Sequence, residues 1–158
     1  MPRQRDIAQA GAFHPRLPPG QREHLATQLQ ACGSSKARVS VHNLAERQLT
    51  LAASLTLSDS AQAAWPSLRE EWNLALRLYL SPWIDSRAPQ YDLEKGLSRA
   101  DLQRRLAGLP GVLAIEALSI ALEDENGAAK PCDDDLLRAP PGRLWVSALQ
   151  HQLTLAQG

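Results

Sequence analysis

The sequence predicts an α+β fold: a small antiparallel sheet of about three strands with two helices packed on one face, preceded by an N-terminal arm. Three observations carry this. Leucine and alanine alternate with threonine, alanine and serine over 47–58, the signature of a strand with one buried face. Aromatic residues and leucines then recur at three- and four-residue steps over 61–80, as on an amphipathic helix. Finally, "GLSRADLQRRLAGLPGVLAIEALSIALED" (96–124) reads as a capped helix, a Pro-Gly stop and a second strand.

Residues 1–38 hold Gly11, Pro15, Pro18, Pro19, Gly20 and Gly33, and only the stretch around 21–31 can support a helix. They form the arm, and residues 39–158 a single α+β domain. The other reading of 1–38 is a tail without packing partners. In the first strand, Leu49, Leu51, Ala53, Leu55 and Leu57 lie on one side of the extended chain. "SDS" (58–60) offers N-cap candidates for a helix over 61–80 whose apolar face is Trp65, Leu68, Trp72, Leu76 and Tyr79. Pro66 must lie in that helix's first turn, or the helix begins there.

Prolines and polar residues make 81–96 a loop. Ser98 and Asp101 have capping-box spacing, so Ser98 caps a helix over 99–107 that Gly108 ends, with Leu102, Leu106 and Leu109 on its apolar edge. The run 112–123 is read as a partly covered strand because it follows a helix stop and contains Val and Ile, and a helix is the alternative. Residues 124–142 are acidic and turn-rich, and 143–156 resumes as a strand.

The composition narrows the function classes. At 158 residues the chain suits one domain with a real core. Seventeen basic residues balance seventeen acidic ones, so no bulk charge draws in nucleic acid or an anionic membrane. Cys32 and Cys132 form no CxxC, which fits a reducing, intracellular setting better than a disulfide framework. No apolar leader opens the chain and no stretch approaches the length of a membrane span, so a soluble protein is expected.

No constellation for catalysis, cofactor or metal stands out. His14, His24, His42 and His151 have no metal-ligand spacing, and His151 falls within a strand, where a hydrogen-bonded or exposed imidazole is expected. "CDDD" (132–135) lacks the oxygen spacing of a calcium loop and reads as a solvated turn. No glycine pattern for a phosphate is present. Among four tryptophans, Trp65 and Trp72 share a core-facing helix face, whereas Trp83 follows Pro82 in the loop 81–96. There it is either a plug over one end of the core or an interface anchor. Pro82, Trp83 and Tyr91 are the candidate interface residues.

"LRLYLSPW", "LSRADLQRRLAGLPGV", a strand containing "LSI", and "PPGRLWVSALQHQLTL" together resemble the C-terminal part of the baseplate J-like wedge proteins of contractile phage tails and phage-tail-like contractile injection systems. Leu80 to Pro82, Pro110 to Val112 and His151 to Leu155 stand where that family has its L-x-P segment, its PGV turn and its final paired strand. The chain departs from the family at "IDSRAPQYDLEKG", which replaces a Gly-rich segment with a Trp-Pro. The resemblance implies a non-enzymatic structural subunit without catalytic residues, cofactor or metal. It would join wedge components within a hetero-oligomer whose other members are baseplate, sheath or spike subunits, with no nucleic acid partner and no membrane insertion. Such a subunit is cytoplasmic during assembly and then part of a virion or particle. The alternatives are a small cytoplasmic adaptor or ligand-binding α+β domain, and a hydrolase whose site combines His151 with distant acids.

Overall fold

The computed structural model describes residues 13–33, 38–84 and 90–156. The predicted α+β class holds, but the sheet is larger and mixed. At its centre is β1 (Ala45–Leu57), with β3 (Val112–Glu123) antiparallel on one side and β4 (Ala129–Cys132) antiparallel beyond that. On the other side, β6 (Arg143–Ser147) and β7 (Gln152–Leu155) lie one after the other along β1, both parallel to it. A separate two-stranded sheet pairs β2 (Leu97–Ser98) with β5 (Leu136–Leu137). The expectation of about three antiparallel strands is therefore corrected to five strands of mixed direction plus this small pair. The strand expected over 143–156 is broken at 148–151.

Among the described residues the helices are α1 (Pro19–Cys32), α2 (Asp59–Ala63), α3 (Trp65–Tyr79) and α4 (Arg99–Ala107). The helix expected over 61–80 is split at Ala64, whose φ of −96° and ψ of 9° lie outside helical values. An unbroken helix would drive the Pro66 ring against the carbonyl four residues earlier, so the chain restarts with Pro66 in the first turn of α3. By contrast, α4 has the predicted bounds, and the Ser98 hydroxyl accepts the Asp101 backbone N–H at 3.3 Å.

Helices α3 and α4 cover one face of the sheet. Their Trp72, Leu76, Tyr79, Leu102 and Leu106 pack with Leu49, Leu51, Leu55 and Leu57 of β1 and Ile120 of β3 in one core. Two bulges make β3 fit this face. The register steps from Leu57↔Val112 to Thr56↔Ala114 and from Leu55↔Ile115 to Ser54↔Ala117, leaving Leu113 and Glu116 without partners. Val112, Ile115, Leu118, Ile120 and Leu122 thereby all lie on the core side despite uneven spacing. A helix over 112–123, the alternative, does not form.

The arm is attached at its base. Phe13 is buried with the Arg77 guanidinium 3.8 Å over its ring. Glu46 of β1 takes His14 Nδ1 at 2.7 Å and Arg16 Nε at 2.9 Å. Burial pushes the Glu46 carboxyl up, but the bonds from Arg16 and His14 outweigh it and hold the group below its usual value. Beyond this clasp, α1 buries none of its residues.

Candidate assembly surface

The residues expected to form an interface are not held alike. Pro82 and Trp83 are half-buried in the turn that follows α3. Tyr91 lies in the core, 8% exposed, with its ring 6.5 Å from that of Tyr79. Burial, and then the neighbouring Tyr79, push its phenol up to about 12, so it stays neutral at any physiological pH. Residues 85–89 of the same loop lie outside the described residues.

The sheet face opposite the helices is left uncovered by them. Its β1 residues are Thr50, Ala52, Ser54 and Thr56, opposed by Ala121, Ser119, Ala117 and Ala114 of β3. Beside them β7 contributes Gln152 and Thr154. These side chains are uncharged and, Gln152 apart, small, and those of Ala114, Ala117 and Ser119 are exposed. At the bulge, Leu113 stands 68% exposed, and Glu116 accepts a hydrogen bond from Thr56 Oγ1 at 2.9 Å. Such a face lets a partner approach closely with few charges to desolvate. The sheet's edges are less inviting. Pro131 interrupts the donor row of β4, and the 148–151 break divides the opposite edge.

The break itself holds a feature that superficially resembles catalytic machinery. Ser147 Oγ lies 2.9 Å from His151 Nε2, as in a nucleophile–base pair. The proton inventory excludes that use. The backbone N–H of Leu51 donates to His151 Nδ1 at 3.0 Å, so in the neutral ring the proton sits on Nε2 and is donated to Ser147. The serine hydroxyl in turn donates to the Ala148 carbonyl at 3.0 Å. A base for Ser147 would need a bare Nε2, and no carboxylate bonds the ring at Nδ1. Both residues are buried, at 5% and 6% exposure. His151 is therefore a strut within the sheet and not a base for Ser147.

Asn73 of α3 completes this strut. Its amide accepts the His151 backbone N–H at 2.9 Å and donates to the Leu149 carbonyl at 3.1 Å, bracketing the break. Sequence reasoning missed Asn73 and Ser147. The available signal was an asparagine adjoining the apolar face of an otherwise Leu-rich helix segment. The acidic run behaves as expected of a solvated turn: Asp133, Asp134 and Asp135 are exposed. Among the described residues no cluster of three or more His, Cys, Asp or Glu is placed to hold a metal, and no helix is long and apolar enough to cross a membrane.

The domain is thus of the class with a mixed sheet, helices on one face and an open, sparsely charged opposite face. No protein-family model and no curated protein matches the sequence. Among solved structures, the chain is similar to a chain of the anti-feeding prophage baseplate, determined by cryo-EM with six-fold symmetrisation. The TM-score is 0.57 at 16% sequence identity, and the match covers 84% of this chain. It covers 26% of the baseplate chain, so the shared fold corresponds to one part of a larger polypeptide.

Proposed function

We propose that this protein is a non-enzymatic structural subunit of a phage-tail-like contractile particle, joining baseplate wedge components to one another and to sheath or spike subunits. The likeness in fold to a segment of a prophage baseplate chain, over 84% of the present chain, is the observation that carries this reading. The open sheet face supports it, since an assembly subunit needs contact area and no reactive groups. Residues 39–158 act as the domain and residues 1–38 as an arm reaching a neighbour. The subunit is cytoplasmic while the particle assembles and belongs to the particle afterwards.

Within this reading the turn after α3 is a contact site. Pro82 restricts the backbone, and Trp83 offers a large, stiff ring whose burial against a neighbour contributes on the order of 2 kcal/mol or more. The test compares two tryptophans. Trp72 is 2% exposed and packs edge-on to Trp65 with centroids 5.8 Å apart. Trp72→Ala should cost roughly 3–5 kcal/mol in chemical denaturation. Trp83→Ala should cost far less, yet reduce recovery of baseplate, sheath and spike subunits with tagged protein from its native source. If Trp83→Ala unfolds the domain as badly as Trp72→Ala, Trp83 is a plug over the core and the contact site is elsewhere. Absence of all such subunits from the wild-type sample, identified by mass spectrometry, would remove the particle assignment itself.

A further inference from the structure

We propose that the Ala148–His151 break is an acid-sensitive latch on β7: a proton on His151 releases this strand from β1 while the β1–β3 pair stays folded. The latch is a matter of hydrogen-bond arithmetic. Between the stretch of β1 that pairs with β6 and the stretch that pairs with β7, the Leu51 N–H finds an imidazole nitrogen where a continuous strand would supply a carbonyl. A neutral imidazole accepts at one nitrogen and donates at the other, which matches Leu51 N–H on one side and Ser147 Oγ on the other. An imidazolium has two donors and no acceptor. Protonation therefore sets Nδ1–H against Leu51 N–H and leaves both without a partner.

Among the described residues no anion lies at hydrogen-bonding distance of the ring, whose partners are Leu51 N–H and Ser147 Oγ. From α3 the neutral Asn73 amide holds the His151 backbone N–H, Arg77 sets a positive charge towards the ring, and Arg69 and Glu70 line the groove that His151 shares. From β6 it meets Ser147, and from β1 the Leu51 backbone. His14, Arg16, Glu46 and Glu123 line a cavity with Ser147, but the Glu46 carboxylate is already paired with His14 and Arg16, and Glu123 accepts the Gln48 backbone N–H. Burial, and then Arg77, lower the His151 pKa to about 4, in keeping with this geometry.

Release is local because β7 is a four-residue edge strand whose strand partner among the described residues is β1 alone. The β1–β3 ladder runs from Leu49 to Leu57 on the opposite side of β1 and does not involve the imidazole. The sign follows from linkage. A histidine depressed in the latched state and ordinary in the released state favours release as pH falls from about 6.5 towards 4, and adds nothing further below that.

Native-state amide exchange of the full chain, followed by NMR from pH 7 to 4 and corrected for intrinsic rates, tests this. The Leu51 amide, and the Ala156 amide that donates to Leu55, should open about tenfold more per pH unit lost within that window. The Ser58 amide, bonded to Gly111 across the β1–β3 pair, should keep its opening constant. In His151→Asn the amide oxygen takes the place of the accepting nitrogen and does not titrate, so Leu51 should lose its pH dependence. Should that variant fold poorly, the wild-type ring nitrogens decide. An unprotonated Nδ1 that gains its proton together with the rise in Leu51 exchange upholds the latch. Parallel loss of protection at Leu51, Ala156 and Ser58, or a protonated His151 with Leu51 still protected, overturns it.

Discussion

Two of the chain's three asparagines use both ends of their amide on backbone groups far away in sequence. Asn43 brackets the N–H and carbonyl of Leu17 as Asn73 brackets the break beside His151. Neither pairing was legible, because a side-chain amide has no periodicity and its partner is fixed only by the tertiary fold. Glycine was partly legible. Gly108 does end α4, but with φ of −82°, whereas the left-handed turn falls at Gly111, with φ of 87°. A Cβ at Gly111 would sit 2.5 Å from the Ala61 Cβ of α2. Gly111→Ala should thus add a steric clash to the backbone strain and cost roughly 2 kcal/mol or more. Gly142 shares the left-handed conformation, with φ of 77°, but its Cβ would meet nothing within 4 Å, so Gly142→Ala should cost only about 1 kcal/mol. Urea denaturation of the two variants separates the terms. Equal losses would mean that α2 yields freely and the close packing under Gly111 is no constraint.

Elements whose apolar pattern has a single period were legible, and those whose pattern is interrupted were not. β1 and α4 lie within two residues of their expected bounds because one face of each is continuously buried. In β3 the core residues run 112, 115, 118, 120 and 122, a spacing that begins helix-like and ends strand-like, and only the bulges at Leu113 and Glu116 reconcile it with a sheet. β6 and β7 have the alternation of strands, but alternation is the same for parallel and antiparallel pairing, so their direction relative to β1 could not be read. The short β4 and β5 lie in an acidic, proline-containing segment and are held by a residue outside it. The Arg99 guanidinium donates to the carbonyls of Leu118, Cys132 and Asp134, while its backbone N–H donates to Asp135. One planar fork thereby ties α4 to β3, to β4 and to the chain leading into β5. A lysine ammonium cannot serve three divergent carbonyls from one point. Arg99→Lys should cost about 1–3 kcal/mol, with faster amide exchange concentrated in β4 and in residues 133–137. Uniform loss of protection across the sheet would show that the clamp stabilises the whole domain and not this flank.

At the scale of the molecule, the two faces of the sheet differ in kind. One carries the helices and the core, and the other presents Thr50, Ala52, Ser54 and Thr56 against a row of alanines and Ser119, with Leu113 proud at one bulge. Charge cancels over the whole chain, so association of this domain rests on shape and apolar contact more than on long-range steering. If neighbouring subunits of a particle seat on the open face, a long cation placed at its centre blocks their close approach and must be desolvated. Ala117 is exposed there and pairs with Ser54 at the start of the second bulge. Ala117→Arg leaves the core untouched, so the isolated domain should stay within about 0.5 kcal/mol of wild type. Its recovery with baseplate subunits should nevertheless fall by tenfold or more, the factor that corresponds to about 1.4 kcal/mol of lost affinity. An equivalent arginine on the exposed surface of α1, at Gln28, controls for added charge. Loss with Ala117→Arg alone assigns the contact to the sheet face. Loss with Gln28→Arg alone assigns it to the arm, and the open face is then simply solvated.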